Sequence, residues 1–189
     1  MSFKRYVVAI DQDEVLNNLI DATLLKTGIP VSKESITEYS IDDVLTKDQM
    51  NCVRRCWEDA DFWDELSVTP KSQKAVNDII ELGCEVFVVT SCELEMASHK
   101  AAWINRHFPV IPKDNFVVCK KKRIVDCDFI IDDRIETLVT MPQWVYRVCM
   151  DRPWNNRGKE YDEVHAIHRV KDLDEARVFV KKIIEMEEG

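Results

Sequence analysis

Short apolar runs, most of which lack polar alternation, constrain the fold of this chain more than any other feature of its sequence. Four of them are residues 6–10 (YVVAI), 85–89 (EVFVV), 116–118 (FVV) and 128–131 (DFII), and a fifth candidate is 144–150 (WVYRVCM). Each is about as long as a strand. Strands that are buried on both faces of a parallel sheet have this composition. The sequence therefore predicts a parallel sheet with both faces covered.

Segments with helical periodicity separate the predicted strands. Apolar residues recur at helical spacing in residues 71–82 and 172–187, and near that spacing in 93–107. Segment 71–82 is followed by Gly83, and segment 93–107 ends shortly before Pro109. Glycine and proline are both common stop signals for helices. Alternating strands and helices indicate an α/β fold in which right-handed crossovers layer the helices on the sheet.

One long stretch interrupts this alternation. Residues 15–70 contain no convincing strand. Their pattern predicts three helices, over residues 15–28, 33–45 and 47–63. We therefore expect an α/β core that consists of residues 1–14 and 71–189, with residues 15–70 forming a small helical cap over the end of the sheet.

The charge and composition exclude several classes of protein. The chain carries 26 Lys and Arg against 35 Asp and Glu, a net charge of −9, which argues against long nucleic acid as a partner. Its 4 glycines are too scattered for a Gly-rich phosphate-binding loop. The apolar runs are too short to span a membrane, and acidic residues follow the first run too early for a secretory signal. Because the 7 cysteines have no disulfide or zinc spacing, we expect a cytoplasmic protein.

The ends of three predicted strands carry oxygen-bearing side chains. They are Asp11 and Asp13 after the first strand, Thr90 and Ser91 after the second, and Asp132 and Asp133 after the fourth. Ligands of open α/β sheets bind beyond the carboxyl ends of the strands, so we expect these side chains to meet at one edge. Carboxylates that lie so close repel each other unless a cation binds between them. Oxygen ligands favour a hard divalent ion, and a shell shared with phosphate and water favours Mg²⁺.

Because there is no Gly-rich loop, the hydrogen-bond donors that bind a phosphate must come from other residues. Thr90 and Ser91 precede a predicted helix, so their hydroxyl and backbone N–H groups can form an anion site. The basic run at residues 120–123 (KKKR) supplies candidates for a lysine that would balance the acids and hold phosphate oxygens.

The motifs IDQDEVL, VVTS and FIIDD, with a lysine ten residues before the acidic pair, resemble the four ordered motifs of the haloacid dehalogenase superfamily of phosphotransferases. The resemblance implies a Rossmann-like, three-layer parallel sheet with a cap after the first strand. It implies that Asp11 is the nucleophile that forms an aspartyl-phosphate, and that Asp13 is the acid and base. It selects Lys122 as the catalytic lysine. The implied metal ligands are Asp11, Asp13 and Asp133, and Asp132 would support Asp133.

Within the superfamily, the closer resemblance is to the 5'(3')-deoxyribonucleotidases and their bacterial and phage relatives. The segment CWEDADFWDEL is similar to one that lines their nucleoside pocket, which implies base or sugar contacts for Trp57 and Trp63, with Phe62 beside them. Lys100 matches a lysine that approaches the phosphate, and Ser91 in the hydroxyl motif would touch the substrate. The later stretch MDRPWNNR also resembles the end of this family.

Two positions depart from this family. Glu14 stands where the family usually has glycine, and its carboxylate would weaken phosphate binding if it turned toward the phosphate. Leu19 corresponds to the first aromatic residue of the nucleoside pocket, which predicts a looser or differently selective pocket.

The sequence thus favours a Mg²⁺-dependent phosphatase that acts on nucleoside monophosphates, preferably deoxynucleotides. A polynucleotide 3'-phosphatase or a sugar phosphatase of the same superfamily remains an alternative. A catalytically idle nucleotide-binding module is another, and Glu14 is its best support. Family members often dimerise, so a homodimer is a further option, although no interface stands out in the sequence. The base preference and the position of the phosphate stay open.

Overall fold

The predicted parallel sheet forms the centre of the structure, a computed structural model that describes residues 5–37 and 41–189. Its strands are β1 (Val7–Ile10), β2 (Glu85–Thr90), β3 (Phe116–Val118), β4 (Phe129–Asp132), β5 (Tyr146–Met150) and β6 (Ile167–Val170). They are hydrogen-bonded in the order β3-β2-β1-β4-β5-β6, and every neighbouring pair is parallel. The strand order reverses at β1 and β4, as it does in Rossmann-like sheets.

Helices cover both faces of the sheet. The helices of the described residues are α1 (Leu19–Thr27), α2 (Lys47–Glu58) and α3 (Ala60–Glu65) between β1 and β2, followed by α4 (Ser72–Glu81), α5 (Leu94–His107), α6 (Ile135–Thr140), α7 (Lys159–Val164) and α8 (Leu173–Glu188). One face packs against α4, α5 and α8, and the other against α6 and α7. The predicted three-layer α/β fold is confirmed. None of the described helices is long and apolar enough to cross a membrane.

Burial on both faces explains why the central strands are apolar throughout. Every residue of β4 is buried. Along β1, Val8 and Ile10 pack in one hydrophobic cluster, whereas Ala9 packs in the other. A polar side chain on either face would lose its water without gaining a partner, so these strands read as continuous apolar runs.

The edge strand β6 was not predicted from the sequence. Its residues, IHRV, have two polar residues between two apolar ones, and His168 is exposed while Ile167 and Val170 are buried. A four-residue strand that is half polar carries too weak a signal to be separated from a loop. The short helices α6 and α7 were missed for a similar reason, since neither is long enough to show a helical period.

The segment between β1 and α4 differs in part from the prediction. The helix predicted over residues 33–45 is wrong where the structure describes it: two 3-10 turns, Lys33–Ser35 and Ile41–Asp43, occur there, and positions 38–40 lie outside the described residues. The helix predicted over 47–63 is interrupted at Asp59, whose extended backbone ends α2 and whose carboxylate accepts a hydrogen bond from the N–H of Asp61. That side chain therefore caps a separate helix, α3.

This inserted segment, residues 15–70, has a hydrophobic cluster of its own. The cluster contains Leu24, Ile29, Ile36, Ile41, Leu45, Met50 and Val53, together with Trp154, which comes from the loop after β5. Trp154 therefore connects the packing of the inserted segment to the sheet.

The two ends of the inserted segment are tied to each other. Asn17 and Val68 form an isolated antiparallel bridge. The N–H of Thr69 donates to the carbonyl of Leu16 at 2.9 Å, and its hydroxyl donates to the carbonyl of Val15 at 2.9 Å. The chain thus leaves the sheet and returns to it at one place, directly beyond the end of β1.

Candidate active site

Three carboxylates meet beyond the ends of the two central strands. Asp11 directly follows β1, Asp132 ends β4, and Asp133 follows it; one oxygen of each lies within 4.8 Å of the others. The N–H of Asp11 donates to the carbonyl of Ile131 at 2.9 Å, so β1 and β4 remain paired up to the acids. The register of two parallel strands therefore brings these side chains together.

A buried lysine lies among these acids. The Nζ of Lys122 is 2.8 Å from Oδ1 of Asp11 and 2.8 Å from Oδ2 of Asp132. Burial opposes the charge of this lysine, but the two carboxylates outweigh that effect and raise its pKa above the ordinary value. Lys122 is therefore protonated and fixes the orientation of both acids.

The three carboxylates still carry more negative charge than one lysine neutralises. Burial raises the pKa of Asp11 to about 6, against the opposing influence of Lys122. Burial, followed by the charge of Asp132, raises the pKa of Asp133 well above its usual range. Both carboxylates are therefore costly to ionise unless a further cation is present, and the donor set consists of oxygen atoms that suit a hard divalent ion.

Asp133 is held by residues to which the sequence assigned no role. The indole N–H of Trp154 donates to Oδ2 of Asp133 at 2.8 Å. The side-chain amide of Asn155 donates to the backbone carbonyls of Asp133 and Met150, at 2.7 Å each. Both residues belong to the stretch MDRPWNNR, whose resemblance to a family motif was the available signal.

The second acid of the first motif lies apart from this group. The Nζ of Lys100 donates to the carboxylate of Asp13 and, at 2.9 Å, to the hydroxyl of Thr90. The other oxygen of Asp13 accepts a hydrogen bond from the side-chain amide of Asn17 at 3.2 Å. The structure thus brings the buried Lys100 and Thr90 to the partly exposed Asp13, with Ser91 next to Thr90 in the chain.

A cavity of about 630 Å³ opens above these acids. Asp11, Asp13, Ser91, Lys100 and Asp133 line its floor, and the inserted segment supplies much of the remaining wall through Leu19, Ile20, Ile36, Ile41, Met50, Arg54, Trp57, Glu58 and Trp63. This volume falls within the usual range for small-molecule sites, roughly 300–1,000 Å³. A charged floor and a wall that is apolar except for Arg54 and Glu58 suit a ligand with one charged end and one flat or largely apolar end.

Two of the three predicted aromatic residues line the cavity. The indole N–H groups of Trp57 and Trp63 already donate within the protein, to the hydroxyl of Thr23 and the carbonyl of Trp57, and of the two rings Trp57 is the more accessible, since Trp63 is only 2% exposed. Phe62 is buried and packs edge-to-face on Trp63, with ring centroids 5.7 Å apart. It lines a separate depression with residues of α1, so the structure brings it to Trp63 but not to the wall of this cavity.

Glu14 is turned inward and is held by cations. Its backbone φ is +60°, in the left-handed region that favours glycine. Its Oε2 lies 2.5 Å from Nζ of Lys33 and 3.7 Å from Nε of Arg152, and its Oε1 accepts a hydrogen bond from the N–H of Ile20 at 2.7 Å. Burial raises the pKa of Glu14, although both cations oppose that shift. Neither cation was singled out in the sequence.

Sequence comparisons place this chain among known nucleotidases. The family model described as "5' nucleotidase, deoxy (Pyrimidine), cytosolic type C protein" matches residues 5–181. The 5'(3')-deoxyribonucleotidase of Bacillus subtilis strain 168 is 31% identical over 164 residues, which cover 84% of this chain and 92% of the relative. The 5'(3')-deoxyribonucleotidase of Bacillus phage SPbeta matches with the same identity and coverage.

Solved structures support the fold. A dehalogenase with a bound intermediate superimposes with a TM-score of 0.62 at 12% identity, over 93% of this chain and 97% of the other. A haloacid dehalogenase-like protein of Agrobacterium tumefaciens C58 superimposes with a TM-score of 0.64 at 9% identity, over 95% and 99% of the two chains. The resemblance drawn from the sequence is confirmed. The chain therefore belongs to the 5' nucleotidase, deoxy (Pyrimidine), cytosolic type C family, and it is a phosphatase with the fold of haloacid dehalogenase-like proteins.

Proposed function

We propose that this protein is a Mg²⁺-dependent phosphatase that hydrolyses nucleoside monophosphates, preferably deoxynucleotides, through an aspartyl-phosphate on Asp11. One observation carries the proposal: Asp11 and Asp133 lie on the floor of a cavity that has tryptophan rings in its wall, and the buried Lys122 pairs with Asp11 and Asp132 directly beneath that floor. Relatives that are named 5'(3')-deoxyribonucleotidases support a deoxynucleotide as substrate.

The residues at the floor of the cavity fit a divalent metal. Asp11 and Asp133 would hold it, since both are oxygen donors whose ionised forms need a further cation in a buried site. The carboxylate of Asp13, predicted as a third ligand, is bound to Lys100 and Asn17, so we assign that carboxylate to proton transfer. When bound, Mg²⁺ would neutralise charge on the phosphate oxygens.

The reaction would proceed in two steps, formation and then hydrolysis of the aspartyl-phosphate. A carboxylate oxygen of Asp11 attacks phosphorus, and the bond from phosphorus to the nucleoside oxygen breaks while Asp13 gives that oxygen a proton. Asp13 then takes a proton from water, which attacks the aspartyl-phosphate, releases inorganic phosphate and restores Asp11. Lys122 keeps Asp11 oriented throughout, and Asp132 anchors Lys122 through its own ion pair.

The polar residues beside Asp13 would bind the phosphate. Ser91 lines the cavity beyond the end of β2, and Lys100 reaches the same region from α5. Thr90 accepts a hydrogen bond from Lys100 and so fixes the position of its ammonium group. This charge would attract the phosphate and stabilise the negative charge that develops during transfer.

Residues 15–70 would act as a cap that binds the nucleoside, and residues 1–14 and 71–189 would form the catalytic core. The half-buried Trp57 presents its ring for stacking on the base or sugar, whereas Trp63, only 2% exposed and packed on Phe62, would contact the nucleoside only where it borders the cavity. We place the enzyme in the cytoplasm, because the structure holds all 7 cysteines as free thiols.

A substrate panel tests the proposal. Phosphate release is measured for dUMP, dTMP, a nucleoside 3'-monophosphate, a 3'-phosphorylated oligonucleotide and a hexose phosphate, each with Mg²⁺ and with a chelator. We expect release from the nucleoside monophosphates in Mg²⁺ alone. Faster release from the oligonucleotide or the sugar would replace this function with another phosphatase activity. Nucleotide binding without any release would indicate an idle binding module.

Replacing Trp154 by phenylalanine should lower the affinity for Mg²⁺ by about ten-fold, because the ring remains in its cluster while Asp133 loses its indole N–H donor. Isothermal titration calorimetry measures this affinity directly. Trp144→Phe is the matched control, since Trp144 is 74% exposed. Equal Mg²⁺ affinities in the two variants would contradict the assignment of Asp133 as a metal ligand.

A further inference from the structure

We propose that Glu14 is a positioning residue that clamps the inserted segment onto the catalytic core and so fixes the wall of the substrate cavity. The clamp itself stands on geometry alone. Its effect on a nucleotide rests on the proposed function. In the family that this chain resembles, the same position is usually glycine, so the clamp would be a feature of this chain.

Three separate parts of the chain meet at Glu14. The residue directly follows Asp13, its carboxylate pairs with Lys33 of the inserted segment at 2.5 Å, and Arg152 after β5 lies 3.7 Å away. Arg152 also donates from its guanidinium to the backbone carbonyl of Glu14. One side chain therefore joins the catalytic loop, the inserted segment and the far half of the sheet.

The conformation of Glu14 is unfavourable unless these contacts compensate for it. A residue with a Cβ atom is disfavoured at a φ of +60°, and a carboxylate that is only 3% exposed loses most of its hydration. Strained residues of this kind persist where the surrounding structure over-determines them. Two cations and one backbone N–H supply that constraint here.

The clamp holds two residues of the cavity wall. Ile20, whose N–H donates to Glu14, lines the cavity directly. Lys33 begins the 3-10 turn that leads to Ile36, which also lines the cavity and packs in one cluster with Trp154. The Nζ of Lys33 lies 6.0 Å from the centroid of the Trp154 ring. Glu14 thus fixes Ile20 and Ile36 relative to the acids beneath them.

Loss of the clamp should weaken substrate binding more than it slows the chemical step. The reacting groups keep their own contacts, because Lys122 orients Asp11 and Lys100 holds Asp13 without Glu14. The wall that contacts the leaving group would instead become mobile. Uniform loss of binding raises KM and leaves kcat nearly unchanged.

The experiment compares Glu14→Gln, Lys33→Met and the double variant with the full-length wild type. Lys26→Met is the matched control, because Lys26 forms an exposed ion pair with Glu65 within the same inserted segment. Hydrogen exchange of the backbone amides in residues 29–37 is measured by mass spectrometry without substrate, and KM and kcat are measured with dUMP.

We expect both single variants to exchange faster in residues 29–37 and to raise KM by roughly five-fold or more, with kcat within about two-fold of the wild type. Glu14 and Lys33 share an ion pair, while Lys33 also pairs with Asp21 and Glu14 with Arg152, so the effects of the two single variants should combine to less than their sum in the double variant. Lys26→Met should match the wild type in exchange and in KM.

Unchanged exchange in Lys33→Met would overturn the clamp, as would additive effects in the double variant. A fall in kcat at constant KM would overturn the role in binding. If Glu14→Gln does not fold, Lys33→Met decides the question, since Lys33 lies away from the catalytic acids. The exchange measurements need no turnover, so they test the clamp even if the protein hydrolyses no nucleotide.

Discussion

Replacing Asp11 by asparagine should reduce phosphate release from a deoxynucleoside monophosphate by on the order of 10⁴-fold or more, because an amide cannot replace the carboxylate nucleophile. The fold should survive this change. Asparagine has nearly the same volume, and Lys122 keeps its ion pair with Asp132 at 2.8 Å. Turnover is measured by phosphate release, and folding is measured by thermal unfolding.

A matched control and a chemical trap sharpen this test. Asp114→Asn changes an exposed carboxylate in the 3-10 turn Lys113–Asn115 and should leave turnover unchanged. Acid quenching during turnover of a ³²P-labelled nucleotide should trap labelled protein in the wild type and none in Asp11→Asn. Substantial turnover by Asp11→Asn, or label on that variant, would exclude Asp11 as the nucleophile.

Replacing Lys122 by methionine should lower the free energy of unfolding by about 3–5 kcal/mol, because it leaves Asp11 and Asp132 buried without their shared cation. Lys122 is only 4% exposed, so water cannot take over its role. Phosphate release should also be lost, since the nucleophile loses the group that orients it. Denaturant unfolding at neutral pH gives the change in stability.

Lys121→Met is the control for this second prediction, because the neighbouring lysine is exposed. It should change the free energy of unfolding by less than about 0.5 kcal/mol, as expected for a surface substitution. If Lys122→Met were as stable as Lys121→Met, the buried ion pairs could not be what holds the acids together.

The strands of this fold could be predicted where burial had removed polar residues from both faces. Val8, Ile10 and Ile131 are fully buried, so their strands show an apolar signal that needs no knowledge of the neighbouring strand. The edge strand β6 lacks that signal because His168 faces water. The turns within residues 33–45 were mistaken for a helix, because several of their apolar residues are buried by tertiary packing rather than along one helix face.

The candidate site likewise contains some residues that could be predicted from the sequence and some contacts that could not. Asp11, Asp132 and Lys122 were predictable, because the two acids lie at the ends of recognisable strands and the lysine belongs to a spaced motif. The contacts of Glu14 with Lys33 and Arg152 were not. They depend on how the inserted segment folds back over the sheet, and no local pattern encodes that contact.

The tie between Asn17 and Val68 has a consequence for how proteins of this design can change. A segment whose two ends are joined side by side can be lengthened, shortened or exchanged without pulling on β1 or α4. The acids at the strand ends therefore lie outside the stretch of sequence, residues 15–70, that supplies Trp57 and Trp63 to the cavity wall. A change of the wall that spares the acids must keep Asn17, which donates to Asp13, and Lys33, which pairs with Glu14, because both lie inside that segment.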